Sequence, residues 1–152
     1  MKSDSHMHYL HKVRVFYWCN IILPILGGTL IYILLRPDTY ISENFYSIFP
    51  LCPRFHLKYM EQSAWLVTLC RNFLPDILWA YSLTFAVALV WLPEEKVILK
   101  VLVICISFEI GVELSQKIGL LSGTFDWLDI IFEVCATVLG ALIIKAKKGK
   151  GK

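Results

Sequence analysis

No Cys-x-x-Cys pair occurs in the chain, although it carries five cysteines, so zinc-ribbon and thioredoxin-type chemistry lack their motif. Histidine is as poorly placed. The four histidines are His6, His8, His11 and His56, and none falls near the acidic residues of the C-terminal half, which disfavours a zinc hydrolase. Ser107, Ser115 and Ser122 therefore have no histidine partner for a Ser-His-Asp arrangement. A Cys-His pair would have to come from Cys52 or Cys70 with His56, a weak signal. Charge is scarce too: Asp, Glu, Lys and Arg make up 18% of residues, against about 25% in ordinary soluble domains. No internal repeat and no soluble domain is visible.

Apolar residues are abundant. They form 57% of the 152 residues, and mean hydropathy is +0.63. A water-soluble core has no use for that excess, so it is assigned to lipid. Four runs approach the roughly 20 helical residues needed to cross a hydrocarbon core. The expected spans are about residues 13–35, 75–92, 97–117 and 126–144, within a transmembrane domain over 13–144. The first run is too long for a cleavable signal and no small-x-small cleavage site follows it. Pro24, Gly27 and Gly28 sit in its middle, as transmembrane helices tolerate. Pro75 and Asp76 mark the second start, proline suiting a first turn and aspartate the positive end of the helix dipole. Between spans one and two, the aromatic-rich stretch from His56 to Leu69 predicts an interfacial amphipathic helix. The expected fold class is thus all-α: an integral membrane four-helix bundle with an additional interfacial helix in that long loop.

Residues 1–12 read as a cytoplasmic N-terminal segment, in which MKSDSHM resembles a cloning remnant, and 145–152 as a basic cytoplasmic tail. Four spans put both termini on one side. That side, with the turn before span three, holds ten of the 15 Lys and Arg residues, and the other side holds five: Arg36, Arg54, Lys58, Arg71 and Lys117. The positive-inside rule then places both termini in the cytoplasm. The tail reads as an anchor to anionic lipid, with no nucleic-acid partner expected. Cys52 and Cys70 share the outer loop and are candidates for a disulfide there.

Three polar clusters converge on the outer side: Arg71 with Asp76; Glu109, Glu113 and Gln116; and Asp126, Asp129 and Glu133. Spacings of four and three residues put Glu109, Glu113 and Gln116 on one helical stripe, and Asp129, Glu133, Thr137 and Gly140 on another. Lipid accepts neither stripe, so both must turn inward. A charged carboxylate near the bilayer centre costs at least about 2.5–3.5 kcal/mol on insertion scales, which makes such a residue a candidate functional group. The competing reading is helix-to-helix hydrogen bonding, worth about 0.6–2 kcal/mol per bond. Asp126 and Asp129 also suit ordinary helix starts. Six acids facing one or two bases nonetheless leave unpaired negative charge. Oxygen-only clusters suit a hard divalent cation, although no cofactor motif is evident.

Glu113-x-x-Gln116, Gly123, Asp126-x-x-Asp129 and Gly140 together resemble the signature of the VanZ-like family, bacterial membrane proteins named for a member associated with teicoplanin resistance. Pro75-Asp76 with Trp79 and Ala80 resembles the acidic helix start of related small proteins. The likeness spans about residues 72–143; Thr124, Glu133 and Ala136 depart from it, standing where a basic residue, Asn and Gly are usual. The resemblance implies a cell-envelope role and a part in resistance to glycopeptide or lipoglycopeptide antibiotics. The expected ligand is a polar or cationic molecule, a drug or a lipid headgroup, held by Arg71, Asp76, Glu109, Glu113, Gln116, Asp126, Asp129 and Glu133. Two alternatives stay open. One is an enzyme acting on a lipid-linked envelope substrate, with an acid as its base and catalytic residues unassigned. The other is a transporter or ion pathway with Glu109 and Glu133 as a relay, which would call for a homo-oligomer, since residues 97–108 offer only Lys100 and Ser107 as polar groups.

Overall fold

The computed structural model describes residues 2–36, 39–50, 65–91 and 97–149. Among them the chain is entirely helical: α1 (Lys2–Leu35), α2 (Tyr40–Ile48), α3 (Trp65–Asn72), α4 (Leu74–Val90), α5 (Val97–Lys117) and α6 (Trp127–Gly149). Two segments are long and apolar enough to cross a membrane, Val13–Leu35 in α1 and Trp127–Lys148 in α6. A third arises if α3 and α4, which meet at a 41° bend, count as one span. By itself α4 has 17 residues, about 26 Å of helix, which is short for a hydrocarbon core of about 30 Å. Helix α5 is long enough but carries Lys100, Glu109 and Glu113 along its length. Large apolar side chains cover the outer faces, among them Leu23, Leu26 and Leu30 on α1, Leu99 and Val103 on α5, and Leu139 and Leu142 on α6. Apolar surface of that extent needs a non-aqueous neighbour, as expected of a membrane protein.

Helix α4 is the central element, packing on α1, α5 and α6, and α5 also packs on α6. Two glycines set the close approaches. A Cβ at Gly28 would lie 2.9 Å from Trp79 Nε1 and 3.1 Å from the Pro75 carbonyl oxygen, so α1 meets α4 nearly backbone to side chain. A Cβ at Gly140 would lie 2.9 Å from Thr84 Cγ2, and this brings α6 against α4. At the end near the basic residues, Tyr17, Phe85, Val97, Val101, Cys105 and Ile144 form a fully packed apolar cluster. Polar groups beside it are satisfied locally: Ser82 Oγ donates to the Ile21 carbonyl at 3.0 Å, and Tyr81 donates to Asn20 Oδ1 at 2.6 Å.

The bend between α3 and α4 follows from Pro75. Proline has no N–H to donate to the carbonyl four residues earlier, which is that of Arg71. Arg36, just past the end of α1, fills the gap. Its Nε donates to the Arg71 carbonyl at 3.0 Å and its Nη2 to the Asn72 carbonyl at 3.1 Å, while the guanidinium lies 5.1 Å from the centre of the Tyr32 ring. One side chain thus staples the end of α1 to the start of α4. Ser42 does the same for α2, its hydroxyl donating to the Arg36 carbonyl at 2.8 Å, and Thr39 caps α2 by accepting from the Ser42 N–H.

Several expectations change in detail. The segment 40–48, read as loop, is helix α2. The expected interfacial helix over 56–69 falls largely outside the described residues; its last part coincides with α3, from Trp65 onward. Cys52, half of the expected disulfide, also lies outside them. Helix α6 continues to Gly149, so Lys145, Lys147 and Lys148 sit on the helix, and the Lys147 ammonium lies 4.9 Å from the Phe16 ring centre.

Candidate functional site

At the opposite end of the bundle from these lysines, α1, α4, α5 and α6 diverge around a cavity of about 710 Å³. The sequence places a polar stripe on each wall. Helix α4 contributes Asp76, Trp79 and Ala80, α5 contributes Glu109, Glu113 and Gln116, and α6 contributes Asp129 and Glu133. Tyr32 and Arg36 approach from α1, and Ser122, Gly123 and Thr124 close over the rim. Six of the eight expected site residues therefore share one cavity: Asp76, Glu109, Glu113, Gln116, Asp129 and Glu133. The two inward-facing stripes inferred from spacing are present in the fold.

The other two, Asp126 and Arg71, lie outside its lining. Asp126 caps α6, its Oδ1 accepting from the Leu128 N–H at 2.9 Å, and its own N–H donates to Glu113 Oε2 at 3.2 Å. A carboxylate at that position satisfies one of the free N–H groups that begin any helix. Arg71 is exposed and its Nε reaches Asn72 Oδ1 at 3.3 Å; it does not line the cavity. The cation that does is Arg36, whose charge acts on both Asp76 and Asp129. In the sequence Arg36 stands only as one of the five outer basic residues, just past the first span. The signal was indirect, since Pro75 frees a carbonyl that a nearby donor must serve.

Thr84 is a functional-site residue that the sequence pattern does not single out, and Thr137, already on the inward stripe of α6, takes a specific partner. Glu109 is 3% exposed, and its Oε1 accepts a hydrogen bond from Thr137 Oγ1. Thr137 Oγ1 in turn lies 3.3 Å from Thr84 Oγ1, which also reaches the Ala80 carbonyl at 2.9 Å. This chain ties α5, α6 and α4 together at the inner limit of the cavity. One turn below Glu109 on α5, Cys105 is fully buried in the apolar cluster. The remaining carboxyl oxygens, Glu109 Oε2 and Glu133 Oε2, are buried and have no hydrogen-bond partner among the described residues. Native proteins pair nearly all such atoms.

The rim depends on one glycine. Gly123 has φ +144°, and a Cβ there would lie 2.7 Å from Gln116 Oε1. The Gln116 amide thereby covers the loop backbone. Lys117 points away from the acids, its ammonium 4.8 Å from the Phe125 ring centre and 5.8 Å from that of Trp127. Among the described residues no three His, Cys, Asp or Glu side chains stand close enough to share one metal ion. The arrangement is a roomy acidic chamber with the rings of Tyr32, Trp79 and Phe108 in its lining. Compared with known protein families, with characterised proteins and with solved structures, the chain matches none.

Proposed function

We propose that this chain is a four-span protein of a bacterial cytoplasmic membrane, both termini inside, whose outward-facing acidic cavity binds an organic cation. The observation that carries the reading is the lining itself. Asp76, Glu109, Glu113, Asp129 and Glu133 converge on one cavity with Arg36 as the cation among its described lining residues. The excess of five acids over one base is relieved either by protonation of some of them or by a positively charged occupant. Trp79 and Tyr32, with ring centres 5.7 Å apart, add aromatic faces of the kind that hold organic cations.

Four spans follow if α3 and α4 cross together and α5 crosses with its acids turned into the bundle, where polar side chains are tolerated. The distribution of Lys and Arg supports cytoplasmic termini. The VanZ-like pattern adds a candidate role, protection of the envelope against glycopeptide or lipoglycopeptide antibiotics, with the cavity as the place where a drug or a lipid headgroup is engaged. A through-path for ions draws less support, because Cys105, Val101 and Val97 pack into a dry apolar cluster below Glu109.

The test is a charge-selectivity titration. Purified protein in lipid nanodiscs is titrated with benzylammonium and with its neutral isostere benzyl alcohol, using empty nanodiscs as the blank. Saturable heat with the cation alone is expected. Equal binding of the two, or none of either, defeats the proposal.

A further inference from the structure

The cavity has a second feature that its acids do not explain. Its deeper wall is apolar and reaches the outer surface of the bundle: Ile25 on α1, Leu83 and Ala86 on α4, and Phe108 on α5 all line it. Ile25 is 42% exposed and Phe108 59% exposed. Helix α1 packs on α4, and α4 on α5, but α1 and α5 make no extensive contact among the described residues. A cleft therefore opens sideways between α1 and α5, with α4 as its back wall. From Asp76 to Ala86 it runs ten residues along α4, about 15 Å. Acids and apolar side chains thus line the same space: Asp76, Glu109, Glu113, Asp129 and Glu133 beside Ile25, Leu83, Ala86 and Phe108. That pairing of surfaces suits an amphiphile, with its polar head on the acids and its chain toward the opening between α1 and α5.

The polar end sets a second condition. Glu109 Oε2 and Glu133 Oε2 are buried acceptors facing this space without a donor among the described residues. A cationic centre that serves both directly needs at least two N–H or O–H donors. A primary ammonium has three, whereas a quaternary ammonium has none.

Resting on the cation-binding reading, we propose that the ligand is an amphiphilic primary amine that reaches the site from the lipid phase through the cleft between α1 and α5. Its ammonium lies between Glu109 and Glu133, and its apolar chain lies along Ile25, Leu83, Ala86 and Phe108. A membrane lipid with a primary-ammonium headgroup and a free alkylamine share this chemistry.

The test uses protein in phosphatidylcholine nanodiscs, which lack primary amines, with empty nanodiscs as the blank. Three probes are titrated: dodecylammonium, dodecyltrimethylammonium and ethylammonium. Dodecylammonium is expected to bind at least about tenfold more tightly than either of the others, the gap set by hydrogen bonds to a charged group and by burial of the chain. Glu133→Gln should remove most of the preference over dodecyltrimethylammonium. Ala86→Phe, which fills the apolar end and spares the acids, should remove most of the preference over ethylammonium. Dodecyltrimethylammonium binding as tightly as dodecylammonium overturns the primary-amine assignment and leaves cation binding standing. Ethylammonium binding as tightly overturns the lateral route, again leaving cation binding standing. No binding of any of the three, with no benzylammonium binding, defeats both readings together. To separate the two sources, phosphatidylethanolamine is then added to the nanodiscs. Competition with dodecylammonium identifies the lipid as an occupant, and absence of competition restricts the proposal to free alkylamines.

Discussion

Replacing Thr137 with valine removes the hydroxyl that serves Glu109 while keeping side-chain volume nearly constant. The loss leaves both carboxyl oxygens of a side chain that is 3% exposed without a protein donor. In water-soluble proteins a hydrogen bond to a charged group contributes about 1.5–3 kcal/mol. Measured interhelical bonds within membranes average about 0.6 kcal/mol and reach about 1.7. The Thr137–Glu109 bond is buried, with a second threonine behind it, so the upper membrane value applies. Thr137→Val should therefore destabilise the bundle by about 1.5 kcal/mol. Glu109→Leu removes the acceptor, and the hydroxyl it leaves can turn to a backbone carbonyl in its own helix. The double variant Thr137→Val with Glu109→Leu should cost at least about 1 kcal/mol less than the two single costs added, because no orphaned partner remains. Sodium dodecyl sulfate unfolding in mixed micelles, followed by circular dichroism, gives all four corners of the cycle. Additivity within about 0.5 kcal/mol would show that the hydroxyl and the carboxyl are not coupled and would refute this account of the cavity floor.

Two further expectations separate structural groups from ligand-facing ones. Asp126→Ala should lower stability by about 1 kcal/mol through loss of the α6 cap, and Asp126→Asn by less than about 0.5 kcal/mol, because asparagine caps as well as aspartate; benzylammonium affinity should be unchanged in Asp126→Asn by the same titration. Arg36→Ala should cost about 1 kcal/mol in the same unfolding assay, since the Arg71 and Asn72 carbonyls lose charged donors at a partly exposed site, whereas Arg71→Ala should be close to neutral.

Hydrophobic runs made the long helices legible, and Pro75-Asp76 marked the start of α4. The stripes on α5 and α6 were legible because helical spacing and the cost of a carboxylate in lipid both demand an inward face. The short helix α2 was harder to see, since nine residues carry little periodicity; its local signal was the Thr39 and Ser42 pair that caps it. Arg36 could not be assigned from pattern alone, because its role depends on α1 ending beside the carbonyls that Pro75 releases. Thr84 and Thr137 sit in apolar helices, where a hydroxyl ordinarily satisfies itself on its own backbone. Only the packing of α4, α5 and α6 reveals that the two meet under Glu109. Asp126 suits both a ligand role and a helix start, and its hydrogen bond to the Leu128 N–H serves the helix start.

The most direct measurement is benzylammonium affinity of the wild type beside Glu109→Gln, Glu133→Gln and the double variant, with unfolding curves showing that each remains folded. The account expects each single change to weaken binding at least about tenfold, the loss of a hydrogen bond between charged groups, and the double change to abolish saturable binding. Folded variants that bind as tightly as the wild type would contradict the claim that these acids form a cation site.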